Sequence, residues 1–292
     1  MIKPLALLFF LVGAVLAQAA LPFDTVFKGR DKFEALIRRA DAENWPELPI
    51  GARTAAVGRA LTGTPYRAFT LEIDDHEEAP SVNLNGLDCW TFFESALAFA
   101  RMLGEPREEW SPATMLKYIE MDRYRGGNCT GEYLSRLHYL EDWLADNARR
   151  NLVADLTRSL GGVKLRHAAQ EMTIGWRQYR YLRNSPSLLP ALRKMEERVS
   201  GMPLVGIPKD RVAKIEPQLR DGDIIGIITR DGRNLYATSH VGLAIRDSAG
   251  TLHFMHASSP HNHGRVLVDD RLARYLYEFS TNAAILVARP LR

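Results

Sequence analysis

Apolar positions at Phe33, Leu36, Ile37 and Ala40 fall at helical steps and predict an amphipathic helix early in the chain. A second short helix is predicted to end near Thr62-Gly63-Thr64-Pro65. Tyr66 to Ile73 then reads as extended, and Asp74 to Pro80 as a polar connection. Asp88 introduces a helix whose Phe92, Phe93, Ala96, Leu97 and Ala100 form a broad apolar face, ended by Gly104 and Pro106. From about 107 to 200 the pattern stays mostly helical. Ser111-Pro112 offers a capping hydroxyl with proline at the first helical position, and Gly126-Gly127 breaks that helix. Tyr133, Leu134, Leu137, Leu140 and Leu144 carry the next one, and Ser185-Pro186 opens another that ends near Gly201. The last third changes period. Ile224 to Thr229, Thr238 to Ile245, Leu252 to Ala257 and Arg265 to Val268 are strand-like runs separated by turns, an antiparallel meander, with Ala283 to Ala288 as a final strand. Helices first and a sheet afterwards predict an α+β fold, without internal repeats or low-complexity segments.

Two features outside this pattern add to it. Lys3 precedes an apolar run from Leu5 to Ala17, followed by Ala17-Gln18-Ala19. A short basic region, a hydrophobic stretch and small residues two apart predict a signal peptide over 1–19, leaving 20–292 as a single mature domain. The alternative is an uncleaved anchor, but a membrane span wants ~20 apolar residues. Export to the periplasm or outside the cell follows, with no stable membrane insertion after cleavage. The chain has 292 residues, 46% hydrophobic and 25% charged, an ordinary globular balance. Its net charge is +3 (38 basic minus 35 acidic residues), and the basic residues are dispersed, so nothing in the charge points to nucleic acid.

In an oxidising compartment two cysteines ordinarily suggest one disulfide. Cys89 and Cys129 lie in different contexts, however. Asp88 is a good helix cap and places Cys89 in the first turn, where unpaired N–H groups and the helix dipole favour a thiolate and can cradle an oxyanion. Burial as an inert thiol is the competing reading. Cys129 sits in the glycine-rich break Arg125-Gly126-Gly127-Asn128 and has no such helix behind it; the two are expected to remain unbonded. His240 opens a strand and is the natural base for Cys89. In the following strand His256 shares a face with Phe254, while His253 takes the other, so the hairpin brings His256 beside His240 as the orienting group. Ser258 and Ser259 just beyond are candidates for bonding to the site, Ser258 as a substrate-binding residue. Arg136 and Tyr139, read as one helical turn apart, are candidates for holding a carboxylate or sugar of the substrate. His253, His256, His261 and His263 match no familiar zinc spacing, so neither a metal nor another cofactor is expected.

Gly63-Thr64-Pro65-Tyr66 and Asn83-Leu84-Asn85-Gly86-Leu87-Asp88-Cys89-Trp90-Thr91-Phe92-Phe93-Glu94 resemble the N-acetylmuramoyl-L-alanine amidase-like family of papain-like, NlpC-type cell-wall cysteine hydrolases. Arg136-Leu137-His138-Tyr139 with Trp143, Asp221-Gly222-Asp223-Ile224-Ile225, Ser239-His240-Val241-Gly242 and His256-Ala257-Ser258-Ser259 are similar to further stretches, in the same order. The resemblance runs from about residue 50 to the C-terminus. It implies a papain-like α+β fold, an antiparallel sheet packed on the nucleophile helix, with the helical stretch of about 107–200 as an insertion walling the substrate cleft. It implies a peptidoglycan or muropeptide substrate, with Cys89, His240 and His256 as nucleophile, base and orienting residue and Tyr66 near the oxyanion. Trp90 departs from the pattern, which has a smaller residue after the cysteine. Three functions follow: an amidase cutting between the muramyl lactyl group and L-alanine, a stem-peptide endopeptidase or related Cys–His acyl hydrolase, and a catalytically dead wall-binding module.

Overall fold

The computed structural model describes residues 21–291; the expected signal segment lies outside the described residues. Helices α1 (Arg30–Ala42) and α2 (Ile50–Ala60) match the predicted apolar spacing, burying Phe33, Leu36 and Ala40 in the first and Ala55 and Val57 in the second. Helix α3 (Cys89–Met102) starts at a complete capping box. The Thr91 N–H donates to Asp88 Oδ1 at 2.8 Å, and the Asp88 N–H donates to the Thr91 hydroxyl at 3.0 Å. Such a cap stabilises a helix start by about 1 kcal/mol and fixes which residue occupies the first turn. Beyond Trp90 every residue of α3 is buried. Helix α4 (Pro112–Arg123) starts at the Ser111 cap.

The apolar series from Tyr133 to Leu144 does not form one helix. A 3-10 turn at Tyr133–Ser135 ends at Arg136, and α5 (Leu140–Arg149) starts afresh. The backbone between them is engaged elsewhere. Leu137 N–H donates to the Arg123 carbonyl at 2.9 Å, and Tyr124 bridges to Arg136. Arg136 and Tyr139 are therefore not neighbours on a helix face. The extended reading of Tyr66 to Ile73 also gives way. Tyr66 makes a single bridge to Leu87, after which the chain turns, with Phe69 at φ 57°. The Glu72 carboxylate draws the turn inward, accepting from the Tyr133 hydroxyl at 2.8 Å and the Arg180 N–H at 2.6 Å.

Three-residue strands β1 (Val153–Asp155) and β2 (Val163–Leu165) interrupt the helical stretch, followed by α6 (Leu189–Ser200), β3 (Leu204–Pro208) and α7 (Lys209–Ile215). Then come β4 (Ile224–Arg230), β5 (Tyr236–Arg246), β6 (Leu252–Ala257), β7 (Val266–Arg271), α8 (Leu272–Glu278) and β8 (Asn282–Pro290). Among the described residues these strands form one eight-stranded sheet in the order β2-β3-β8-β4-β5-β6-β7, with β1 paired to β8 as well, and every pairing antiparallel. The expected meander is β4 to β7. The architecture is thus α+β with an antiparallel sheet.

Helices cover both faces of the sheet. Ile224, Ile228, Val241, Leu243 and Met255 pack with α2 and α3, while the alternate residues Ile225, Ile227, Ala244 and Phe254 pack with α7 and α8. Burial on both sides explains why these strands read as nearly unbroken apolar runs. A third apolar cluster, including Tyr133, Tyr139, Tyr181, Leu182, Leu192 and Val199, gathers the 130–200 stretch into a wall.

Two fully buried ion pairs clamp α3 to α4: Glu94 to Arg123 at 2.7 Å and Arg101 to Asp122 at 3.0 Å. Removing one partner strands the other charge in the interior. Glu94→Ala is therefore expected to destabilise the fold by about 3–5 kcal/mol, read as a lower denaturant midpoint. A loss under about 1 kcal/mol would count against this clamp.

Candidate active site

Cys89 lies in the first turn of α3 and retains partial exposure to a cleft of about 340 Å3. Tyr66, Phe69, Asp88, Trp90 and Tyr179 line the cleft with it, as do Arg136, Tyr139, Thr238, Ser239 and His240. Both cysteines are free, and Cys129 Sγ instead lies 3.5 Å from the Glu78 carbonyl oxygen. The expectation that the helix start would favour a thiolate is not met. Burial, with the Asp88 carboxylate adding to it, pushes the Cys89 thiol up to about 12, although the backbone amides of Val241, Trp90 and Cys89 itself act in the opposite direction. The cap that places the sulfur also sets a negative charge beside it. The resting group is thus a thiol.

His240 comes from the sheet side, at a β-bulge. Ile227 pairs with His240 and Ile228 with Thr238, so Ser239 is the extra residue. Bulges re-aim side chains and recur beside functional sites. His240 Nε2 lies 2.6 Å from His256 Nδ1, and His256 Nε2 lies 3.0 Å from Asp269 Oδ2. Phe254 buttresses both rings: it meets His240 edge-on and stacks on His256. Gly242 leaves room for it, since a Cβ there would lie 2.7 Å from the Phe254 ring.

The proton positions follow from the acceptor at the end of this chain. Asp269 is held below the usual carboxylate range, first by its hydrogen bond from His256, and as a carboxylate it can only accept. His256 must then carry its proton on Nε2 and accept through Nδ1. His240 in turn carries its proton on Nε2, which leaves Nδ1 as the lone-pair nitrogen. Burial, reinforced by His256, pushes His240 down to about 3, so that lone pair is available at neutral pH.

Asp269 was not among the candidates read from the sequence. The other expected residues separate into two groups. Tyr66 lines the cleft, and its phenol is pushed up to about 12, mainly by burial and then by Cys89 and Asp88. Its hydroxyl therefore stays a donor. Asp88 is occupied as a cap, accepting from Thr91 and from the Thr70 hydroxyl at 3.1 Å. Arg136 is buried against Glu78 at 3.4 Å and donates to the Leu71 carbonyl at 2.9 Å. Tyr139 spends its hydroxyl on Glu196 at 2.6 Å. Ser258 is buried and does not line the cleft. Among the described residues no group of three or more His, Cys, Asp or Glu is arranged to hold a metal ion. No described helix is long and apolar enough to cross a membrane.

The sequence profile described as N-acetylmuramoyl-L-alanine amidase-like matches residues 56–282, more than three quarters of the chain. The chain belongs to this family. Among solved structures it is similar to one named N-acetylmuramoyl-L-alanine amidase from Bacteroides uniformis: 30% identity, TM-score 0.72, covering 83% of this chain and 99% of that one. A Bacteroides fragilis structure named a putative xylanase is 34% identical, with TM-score 0.71, covering 80% and 99%. A Legionella pneumophila protein shares the fold at 19% identity, TM-score 0.67, covering 90% and 94%. No curated protein matches the chain.

Proposed function

We propose that this amidase-like chain is an exported cysteine amidase of the papain-like, NlpC type that cuts peptidoglycan fragments between the muramyl lactyl group and L-alanine. The observation that carries the reading is the relay Asp269–His256–His240, which leaves His240, a residue lining the same cleft as Cys89, with a lone-pair nitrogen. His240 Nδ1 takes the thiol proton as Cys89 Sγ attacks the lactyl carbonyl carbon, forming a C–S bond and a tetrahedral oxyanion. First-turn amides of α3 and the Tyr66 hydroxyl stabilise that oxyanion. On collapse the C–N bond breaks and His240 returns the proton to the leaving alanine nitrogen. Water, deprotonated by the same nitrogen, then hydrolyses the thioester and releases the lactyl acid. His256 and Asp269 hold His240 in its working tautomer and stabilise the transient imidazolium.

The name of the Bacteroides fragilis neighbour raises a glycosidase as a second reading. Glycoside hydrolysis needs two carboxyl groups flanking the bond. Of the carboxylates lining the cleft, Asp88 is committed to Thr91 and Thr70, and Glu72 to Tyr133 and Arg180. Glu171, the remaining one, accepts from the Gln170 N–H at 3.0 Å, so no free pair of carboxylates flanks the cleft, which favours acyl transfer. Digestion of purified muropeptides with product masses separates the readings. Free stem peptide beginning with alanine is expected. Shortened muropeptides would indicate an endopeptidase, and cut glycan a glycosidase.

The ionisation states give this reading a pH signature. His240 is depressed to about 3, so it remains a neutral base as pH falls through the ordinary histidine range; Cys89, raised to about 12, remains a thiol as pH rises. The expected kcat/KM is nearly flat between about pH 5 and 8. An acid limb near the ordinary histidine value of about 6.5 would contradict the neutral pair.

A further inference from the structure

The chemistry above uses neither Thr238 nor Glu141, yet Thr238 stands two residues before the base on the same strand and is bonded to Glu141. Thr238 lines the cleft, immediately before the extra residue Ser239 of the bulge that delivers His240. Its hydroxyl donates to Glu141 Oε2 at 2.9 Å. Glu141 belongs to the first turn of α5, a different element, and is buried. On its other side His167 Nδ1 lies 3.8 Å from Oε1, and His167 Nε2 bonds the Met202 carbonyl at 2.7 Å.

At a bulge the regular ladder is interrupted, so strand pairing alone does not fix how the next side chain points. A side-chain bond from the bulge to a rigid helix supplies that constraint. Burying a carboxyl is costly, and here burial pushes Glu141 up to about 7, so retaining it at this position calls for a reason.

We infer that Glu141 is a positioning residue for the His240 base, acting as a strut that locks the bulge through the Thr238 hydroxyl. The inference rests on the reading of His240 as the general base. The strut sets the direction of His240 Nδ1, so its loss should lower the chemical step and spare substrate binding. Small misplacements of a reacting group cost up to about 100-fold in rate.

The test uses Thr238→Val, which keeps the side-chain shape and removes the hydroxyl, together with Thr238→Ser, Glu141→Ala and Glu141→Gln in the full mature chain. Thr238→Val and Glu141→Ala are expected to lower kcat on muropeptides roughly 10- to 100-fold with KM within about threefold. Serine, which restores the donor, and glutamine, which keeps a carbonyl acceptor, should recover most of the rate. NMR of isotope-labelled histidine supplies a readout independent of turnover: the His240 Nε2–H resonance should shift in Thr238→Val and return in Thr238→Ser. An unchanged kcat in Thr238→Val, or a loss confined to KM, would overturn the strut. If the wild type cleaves no muropeptide, the proposed function fails, and the histidine spectrum alone decides: a shift in Thr238→Val supports the strut and an unchanged resonance overturns it. Glu141→Ala has a cavity cost of its own and is read only alongside the near-isosteric valine variant.

Discussion

Cys89→Ala is expected to remove muropeptide cleavage, with a loss on the order of 10⁴-fold or more in kcat and no large change in stability. The argument is geometric first. Asp88 and Thr91 fix where α3 begins, and that fixes which side chain stands in its first turn at the edge of the cleft. Cys89 shares the cleft with His240, whose ring is linked through His256 to the Asp269 carboxylate. The elevated thiol changes how this works without removing it. With the Cys89 thiol at about 12 and the His240 imidazole at about 3, both groups rest neutral, so the proposed mechanism has the proton move during attack. In the proposed mechanism the sulfur is the nucleophile that the relay serves, and alanine removes it. Cys129→Ala is the control and should retain activity, since Cys129 lies off the cleft beside the Glu78 carbonyl. Cleavage by Cys89→Ala within tenfold of wild type would end the cysteine mechanism.

Asp269→Asn should cost about 10²- to 10⁴-fold in kcat while leaving the fold intact. The carboxylate accepts from His256 Nε2 at 3.0 Å and so dictates the tautomer of two rings in series. Because the Asp270 N–H donates to Oδ1 at 2.8 Å and holds the amide oxygen there, an asparagine presents its NH2 donor to His256. His256 would then accept at Nε2 and carry its proton on Nδ1, which forces His240 to accept at Nε2 and carry its proton on Nδ1. The nitrogen meant to take the thiol proton would already hold one. Labelled-histidine NMR should show both rings switching tautomer in the variant. Full activity in Asp269→Asn, or unchanged ring tautomers, would show that the carboxylate does not govern the relay.

The contrast between His256 and Asp269 marks how far the sequence could be read. His256 was legible because it lies on a regular strand: period two puts it on the Phe254 face, and the β5–β6 register sets it beside His240. Asp269 was not, because β7 slips against β6 between the His253–Arg271 and Met255–Val268 pairs, and an irregularity of register cannot be read from alternation. Cys89 could be placed because caps are local chemistry. Its ionisation could not, since burial and the charge of the cap itself outweigh the helix dipole. Arg136 and Tyr139 were paired by an apolar period that tertiary hydrogen bonds to the end of α4 break in two. The strands at 153–155 and 163–165 were too short to declare a period inside a helical stretch, and they exist because β8 and β3 offer them edges.

The most direct test of the central claim is residual muropeptide cleavage measured against the fraction of Cys89 carbamidomethylated by iodoacetamide, with Cys129 occupancy followed in the same peptide-mass map. Activity should fall in proportion to modification of Cys89 and be indifferent to that of Cys129. Cleavage that persists with Cys89 fully blocked would contradict the account.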